Sequence, residues 1–289
     1  MQRGEAFEQY VERIRRGEQD LYAAYRVYEH AYLLRGERNV GRRASLLLLE
    51  HDPWFLVGAM PYFLGDTLTA ADVERLTPLV ARGLPAGLAA LVRARLWFYA
   101  HPIRTKPDRA RLRRIQAQLA RVPRSHRDAD WFRMMADTQR RLGDWAGYKR
   151  LFPRLYDATE CGWRSSVLRD VLAEATRHKD LRTYDRWRRV LADQPPSAQT
   201  CECHKNKVAN LDGLRAIAAR RWDEVPGHLA RAADVAGCPH LNSGGLDLAL
   251  VEVLARRRRY PDECRRYLET ARSFGNAKAI DRLVAQLPA

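Results

Sequence analysis

Apolar residues recur along this chain at helical spacing, with charged residues between them. In segment 107–122 the apolar positions are three, four and three residues apart: Leu112, Ile115, Leu119 and Val122. Spacings of three and four place side chains on one face of an α-helix. The pattern therefore predicts a surface helix that buries one narrow stripe and leaves its arginines in solvent.

Glycine and proline interrupt this pattern at short intervals along the whole chain. Both residue types begin or end helices, so they divide the sequence into about sixteen predicted helices of roughly 10–18 residues each. Thr69 and Asp72 have the spacing of a capping-box variant, which predicts a helix start at this point. β-Branched residues are few relative to leucine, alanine and arginine, which are good helix formers. We therefore expect an all-α fold.

Four similar turns follow one another in the second half of the chain: Gly143-Asp144-Trp145, Lys179-Asp180-Leu181, Arg221-Trp222-Asp223 and Arg259-Tyr260-Pro261. Positions 145, 181, 222 and 260 of these turns are 36, 41 and 38 residues apart. A period of this length is typical of helical-repeat proteins, in which each two-helix unit covers the next. The second half is therefore predicted to consist of stacked helical hairpins.

Segment 129–158 carries the features of one such repeat. They are the packing positions of two helices and the turn between them: Phe132, Met135, Ala136, 143–145, Phe152 and Leu155. On these residues the segment resembles the tetratricopeptide repeat. The resemblance implies a right-handed α–α superhelix, that is, a TPR-like solenoid of helical hairpins. Tyr148 departs from the pattern, since it stands where the family has a small residue.

Two parts follow from this organisation. We expect residues 1–128 to form an N-terminal helical region, either a cap or atypical repeats, and residues 129–289 to form a TPR-like repeat domain with a C-terminal capping helix. The stretch from Cys203 to Phe274 also resembles the C-terminal part of a group of bacterial helical-repeat proteins of unknown function. That resemblance rests on His204 and the run 239–245 at two predicted helix starts, and it implies no activity.

Arginine supplies most of the positive charge. Lys plus Arg number 51 and Asp plus Glu 35, which gives a formal net charge of +16. Arginines close the first helices of the predicted hairpins, at 140–141, 220–221 and 256–259. A cation at this position is stabilised by the helix dipole. Stacking of the hairpins would also align these helix ends in a positive ridge.

Two functional classes fit such a ridge. The first is a non-enzymatic scaffold with a concave, Arg-rich groove for an acidic protein or peptide, because a guanidinium grips a carboxylate at two points. Helix phase selects the following contact residues: Arg140, Asn206, Lys207, Asn210, Arg215, Asn242, Ser243 and Arg257. The alternative is a solenoid that binds nucleic acid along the ridge, with tryptophans as stacking surfaces and an affinity that falls steeply with salt.

Five potential metal ligands occur near two predicted helix starts: Cys201, Cys203, His204, Cys238 and His240. Zn²⁺ takes four nitrogen or sulfur ligands in a tetrahedron. A third hypothesis is therefore a zinc-stabilised component of unknown activity. The Cys-x-Cys spacing is not a standard one, however, since two side chains at this spacing usually splay apart. The competing interpretation, without a cofactor, treats Cys203 and Cys238 as small apolar residues between repeats.

Motifs of the common catalytic classes are missing from the sequence, including the phosphate-binding loop, the zinc-protease helix, the serine elbow and the dinucleotide fingerprint. We therefore expect no enzymatic activity. The longest apolar stretch, 53–65, is too short to cross a membrane. The charged N-terminal segment also lacks the apolar block of a secretory signal. We expect a cytoplasmic protein with reduced thiols and no membrane partner.

Overall fold

The computed structural model describes residues 2–30, 38–52, 69–99, 108–194 and 201–288. Within these ranges the chain forms sixteen α-helices and two short 3₁₀ turns, with no β-strand. The predicted all-α class is therefore confirmed. None of the helices in these ranges combines the length and the apolar character that a bilayer crossing requires. The right-handed superhelix stays a prediction.

The chain folds into two compact units, residues 1–151 and 152–289. The helices that begin in the first unit are α1 Gln2–Arg15, α2 Leu21–Glu29, α3 Arg38–His51, α4 Ala70–Gly83, α5 Ala86–Tyr99, α6 Arg109–Ala120, α7 Ala129–Leu142 and α8 Trp145–Ala158. Helix α8 crosses the division at residue 151. The predicted boundary between residues 128 and 129 concerns where repetition begins, and it stays a prediction.

In the first unit, helices pack mainly against their neighbours in the chain. One core lies among α1, α2 and α3, and a larger core lies among α3 to α7. The stripe predicted on α6 belongs to the larger core, because Leu112, Ile115 and Leu119 are fully buried and Val122 is nearly so. The pattern of apolar positions thus correctly identified the buried face of this helix.

Helix α4 begins with the predicted capping box. The Thr69 hydroxyl accepts from the Asp72 backbone N–H, and the Asp72 carboxylate accepts from the Thr69 backbone N–H at 2.7 Å. Arg42 on α3 adds a two-pronged ion pair to the same carboxylate, at 2.7 and 2.8 Å. Burial acts to raise the pKa of Asp72, but the hydrogen bonds from Arg42 and Thr69 outweigh it and lower the pKa to about 2. This carboxylate therefore joins α3 to the start of α4.

In the second unit, the helices that follow α8 are α9 Cys161–Arg177, α10 Leu181–Ala192, α11 Glu202–Ala218, α12 Val225–Ala233, α13 Pro239–Gly244, α14 Ala249–Arg256, α15 Pro261–Arg272 and α16 Ala277–Val284. Three hairpins are formed by α9 with α10, α11 with α12, and α14 with α15. Helix α11 packs against α9 and α14, and α12 packs against α15. These three hairpins therefore stack in the order of the chain.

The four turns predicted from the sequence are confirmed, and they share one backbone geometry. A residue with a left-handed backbone ends the first helix at each turn: Gly143 (φ 77°), Lys179 (φ 54°), Arg220 (φ 61°) and Arg258 (φ 52°). The next N–H bonds to the carbonyl five residues earlier in each case, as from Asp144 to Gln139 at 2.9 Å. This is a Schellman motif. Only Gly143 takes this backbone without steric cost to a side chain.

Candidate metal centre and adjacent basic pocket

The starts of α11 and α13 bring four of the five predicted metal ligands together. The ligand atoms of Cys201, Cys203, Cys238 and His240 all lie within 4.8 Å of one another. Cys201 Sγ is 2.8 Å from Cys203 Sγ, 3.5 Å from Cys238 Sγ and 3.4 Å from His240 Nδ1. The cluster therefore offers three sulfur atoms and one nitrogen atom around a common point.

Each half of the cluster comes from two residues that span a helix start. Cys201 and Cys238 are the N-cap residues of α11 and α13, with extended backbone. Cys203 and His240 are each the second residue of the helix that follows. The chain changes from extended to helical between the paired residues. The expectation that side chains at this spacing splay apart therefore does not hold here.

The fifth predicted ligand, His204, lies apart from this cluster. Its Nδ1 atom is buried without a hydrogen-bond partner, and its side chain lines a neighbouring cavity. Burial, together with the positive charges of Arg169 and Lys207 and the nearby His240, lowers the pKa of His204 to about 4. The imidazole is therefore neutral at pH 7.

The pKa values of Cys203 and Cys238 are shifted in opposite directions. Burial, with the adjacent thiols of Cys201 and Cys238, raises the pKa of Cys203 to about 12. Burial also acts to raise the pKa of Cys238, but hydrogen bonds to its sulfur, among them that from the Leu241 N–H at 3.4 Å, lower the pKa overall. Cys203 is therefore a neutral thiol at pH 7, and the Cys238 thiol ionises more easily than that of Cys203.

A cavity of about 350 Å³ lies beside the cluster, among α9, α10, α11 and α12. Its lining includes four cationic side chains and two acidic ones: Arg169, Arg188, Lys205, Arg231, Asp212 and Asp234. Arg188 is paired with Asp212 at 3.0 Å, and Lys205 is paired with Glu202 at 2.5 Å. Two of the four cations are thus neutralised within the protein.

The other two cations of the cavity have different partners. Arg169 donates to the Ser165 carbonyl at 3.3 Å and to Ser166 Oγ at 3.2 Å. The Nη2 atom of Arg231 lies 2.7 Å from His228 Nδ1. Within the part of the chain that the structure describes, neither guanidinium has a carboxylate at ion-pair distance. Sequence reasoning missed both residues, because they come from α9 and α12 and share no local motif.

Three of the predicted groove residues on α11 serve the interior of the second unit. Asn206 and Asn210 are buried, and both donate to the Tyr267 hydroxyl, at 2.9 and 3.2 Å. Arg215 donates to both carboxylate oxygens of Asp185, at 2.9 and 2.7 Å. Burial places the two asparagines out of reach of a partner in solution. The Arg215 guanidinium already holds a carboxylate of its own chain.

The remaining predicted contact residues are dispersed. Arg140, in the first unit, pairs with Asp137 at 2.5 Å. In the second unit Lys207 is half-buried, Asn242 is exposed, and Ser243 is part of α13. The exposed Arg257 lies over the ring of Trp222, with 5.3 Å between guanidinium carbon and ring centroid. None of these five residues lines the 350 Å³ cavity.

No protein-family model, no curated protein and no solved structure matches this chain. The resemblance of segment 129–158 to the tetratricopeptide repeat therefore stays a prediction, as does that of the stretch from Cys203 to Phe274 to bacterial helical-repeat proteins. The described residues define an all-α protein whose second unit holds a Cys₃His cluster beside a basic cavity.

Proposed function

We propose that this chain is a non-enzymatic binding scaffold whose second unit recognises a carboxylate of an acidic protein or peptide. One observation carries the proposal: Arg169 and Arg231 line a cavity and have no carboxylate partner among the described residues. A guanidinium presents a planar fork of donors that matches a carboxylate, so such a group is a natural occupant. The cavity is large enough for one acidic side chain or a chain terminus.

The charge pattern elsewhere favours a carboxylate over nucleic acid. Binding a phosphate backbone requires many accessible cations along a track, together with aromatic surfaces for bases. Arg140 and Arg221 of the predicted ridge are instead paired with Asp137 and Glu224. Trp222 is covered by the guanidinium groups of Arg257 and Arg259. These arginines and Trp222 therefore already have partners within the chain.

The deciding experiment removes the two cavity charges together. Arg169→Gln/Arg231→Gln is compared with Arg182→Gln/Arg189→Gln, which makes the same charge change at two exposed residues of α10 outside the cavity lining. The probe is a fluorescently labelled glutamate-rich peptide with a free C-terminal carboxylate, and its amidated form tests the contribution of the terminus. Charge-assisted hydrogen bonds contribute about 1.5–3 kcal/mol each, so we expect at least roughly tenfold weaker binding for the cavity variant only.

A pull-down from host-cell lysate at moderate salt, with and without nuclease, separates the alternatives. The proposal predicts protein capture that survives nuclease and is lost in the cavity variant but not in the α10 variant. Equal peptide affinity in both variants would refute the carboxylate site. Capture that disappears with nuclease treatment would favour the nucleic-acid ridge instead. Thermal melts of both variants show whether the second unit remains folded.

A further inference from the structure

The donor set of the Cys₃His cluster selects among metal ions. Three thiols and one imidazole suit Zn²⁺, which commonly takes Cys₃His ligation in structural sites. Mg²⁺ and Ca²⁺ require oxygen ligands, which these four side chains do not offer. We propose that Cys201, Cys203, Cys238 and His240 bind one Zn²⁺ ion in a closed tetrahedral site.

Two of the three distances from Cys201 Sγ to the other ligand atoms are close to those of such a site. With Zn–S bonds of about 2.3 Å and a Zn–N bond of about 2.0–2.1 Å, the ligand atoms of a tetrahedron lie roughly 3.5–3.8 Å apart. The separations from Cys201 Sγ to Cys238 Sγ and to His240 Nδ1 are 3.5 and 3.4 Å. The 2.8 Å between Cys201 and Cys203 is shorter than a tetrahedral edge, but it is well beyond the length of about 2.05 Å of a disulfide. Tetrahedral coordination would require these two sulfur atoms to move apart by about 1 Å.

Hydrogen bonds outside the cluster hold its two halves in place. Glu202, between the first two cysteines, accepts from the Ala236 backbone N–H at 3.1 Å. Asn206, one turn further along α11, donates to the Ala232 carbonyl at 2.8 Å and accepts from the Asp247 N–H at 2.9 Å. These hydrogen bonds hold the backbone around the pair Cys201 and Cys203 close to the segments before and after α13, which carries His240. Preorganised ligands lose less conformational entropy when they bind an ion.

Four protein ligands leave no position for water or substrate, so the ion has a structural role. It would link the start of α11 to the start of α13. The N-cap residues of these two helices, Cys201 and Cys238, are 37 residues apart in the sequence. Because binding free energy of the folded state adds to stability, zinc should raise the melting temperature of the second unit. This role is independent of the proposed carboxylate site.

The test measures metal binding directly on the full chain. We expect about one zinc per chain by mass spectrometry after purification in reducing buffer, and a lower melting temperature after a strong chelator removes the ion. Replacement by Co²⁺ should produce the visible d–d absorption and thiolate charge-transfer bands of a tetrahedral sulfur-rich site. Cys203→Ser and His240→Ala should lose zinc to a chromophoric chelator at concentrations at which the wild type retains it.

Cys161→Ser is the matched control, since Cys161 is an exposed thiol outside the cluster. It should bind zinc and cobalt like the wild type. If the cluster variants do not fold, Co²⁺ titration of metal-free wild type decides the question alone. Absence of both zinc and the cobalt bands, or a thiol titration that reveals a Cys201–Cys203 disulfide in reducing buffer, would overturn the proposal. Peptide binding is not measured, so failure of the carboxylate site leaves this result unaffected.

Discussion

Substituting Asn206 by alanine tests whether the polar residues of α11 serve the interior or a binding surface. The Asn206 side chain makes three hydrogen bonds: to the Ala232 carbonyl, to the Tyr267 hydroxyl and from the Asp247 backbone N–H. The Tyr267 hydroxyl in turn donates to the Asp247 carbonyl at 2.7 Å. Asn206 thus joins α11 to α12, to α15 and to the segment before α14.

The expected loss of unfolding free energy in Asn206→Ala follows from the polar groups that the substitution leaves without a hydrogen-bond partner. A buried donor or acceptor that loses its hydrogen bond costs about 1–3 kcal/mol. The Ala232 carbonyl and the Asp247 N–H lose the Asn206 side chain, and the Tyr267 hydroxyl loses one of its donors. We therefore expect Asn206→Ala to lower the free energy of unfolding of the second unit by about 3–5 kcal/mol. Tyr267→Phe should cost about 2–3 kcal/mol through the same network.

Urea unfolding followed by far-UV circular dichroism and tryptophan fluorescence provides the measurement. Asn242→Ala is the control, because Asn242, like Asn206, is a predicted contact residue, but its side chain is exposed. Its effect should stay within about 0.5 kcal/mol of the wild type. An Asn206→Ala chain as stable as the control would refute the assignment of Asn206 to the core. The double variant with Tyr267→Phe should be less than additive, since both substitutions remove one network.

Two further predictions concern local geometry. Asp72→Asn should lower stability by about 1–2 kcal/mol at pH 7, because it removes the ion pair with Arg42. The pKa of Asp72 is about 2 in the fold against 3.8 ordinarily, so this stabilisation is present above pH 4 and is lost as pH falls toward 2; urea unfolding across that range measures it. Arg220→Gly should stabilise the chain by about 1 kcal/mol, because Arg220 has a left-handed backbone; a thermal melt measures this.

Each of these two predictions has a contrasting outcome. A stability difference between Asp72→Asn and wild type that stays constant down to pH 3 would contradict the ion-pair explanation. For the turn, Ala219→Gly is the control, because Ala219 has φ −83° and gains nothing from glycine. If both glycine variants change stability equally, the left-handed backbone of Arg220 carries no cost.

Local features of this fold could be predicted from the sequence because their interactions span few residues. The capping box of α4 joins residues three apart, and the Schellman turns join residues at most five apart. The buried stripe of α6 follows from helical period alone. For the candidate metal centre, the sequence-based candidates included all four residues that cluster in the structure. They also included His204, since residue type alone does not distinguish a member of the cluster from a neighbouring side chain.

The amino-acid order by itself determined the helices, the turns and the chemical groups available in this protein, since each depends on contacts within one or two helical turns. Only the tertiary structure decided that Asn206 meets Tyr267, 61 residues away, in the interior. It likewise decided that Cys201 meets Cys238, 37 residues away, and that Arg169 and Arg231 line one cavity. These long-range contacts depend on how successive hairpins stack. Burial of the hydrophobic core as a whole selects that stacking.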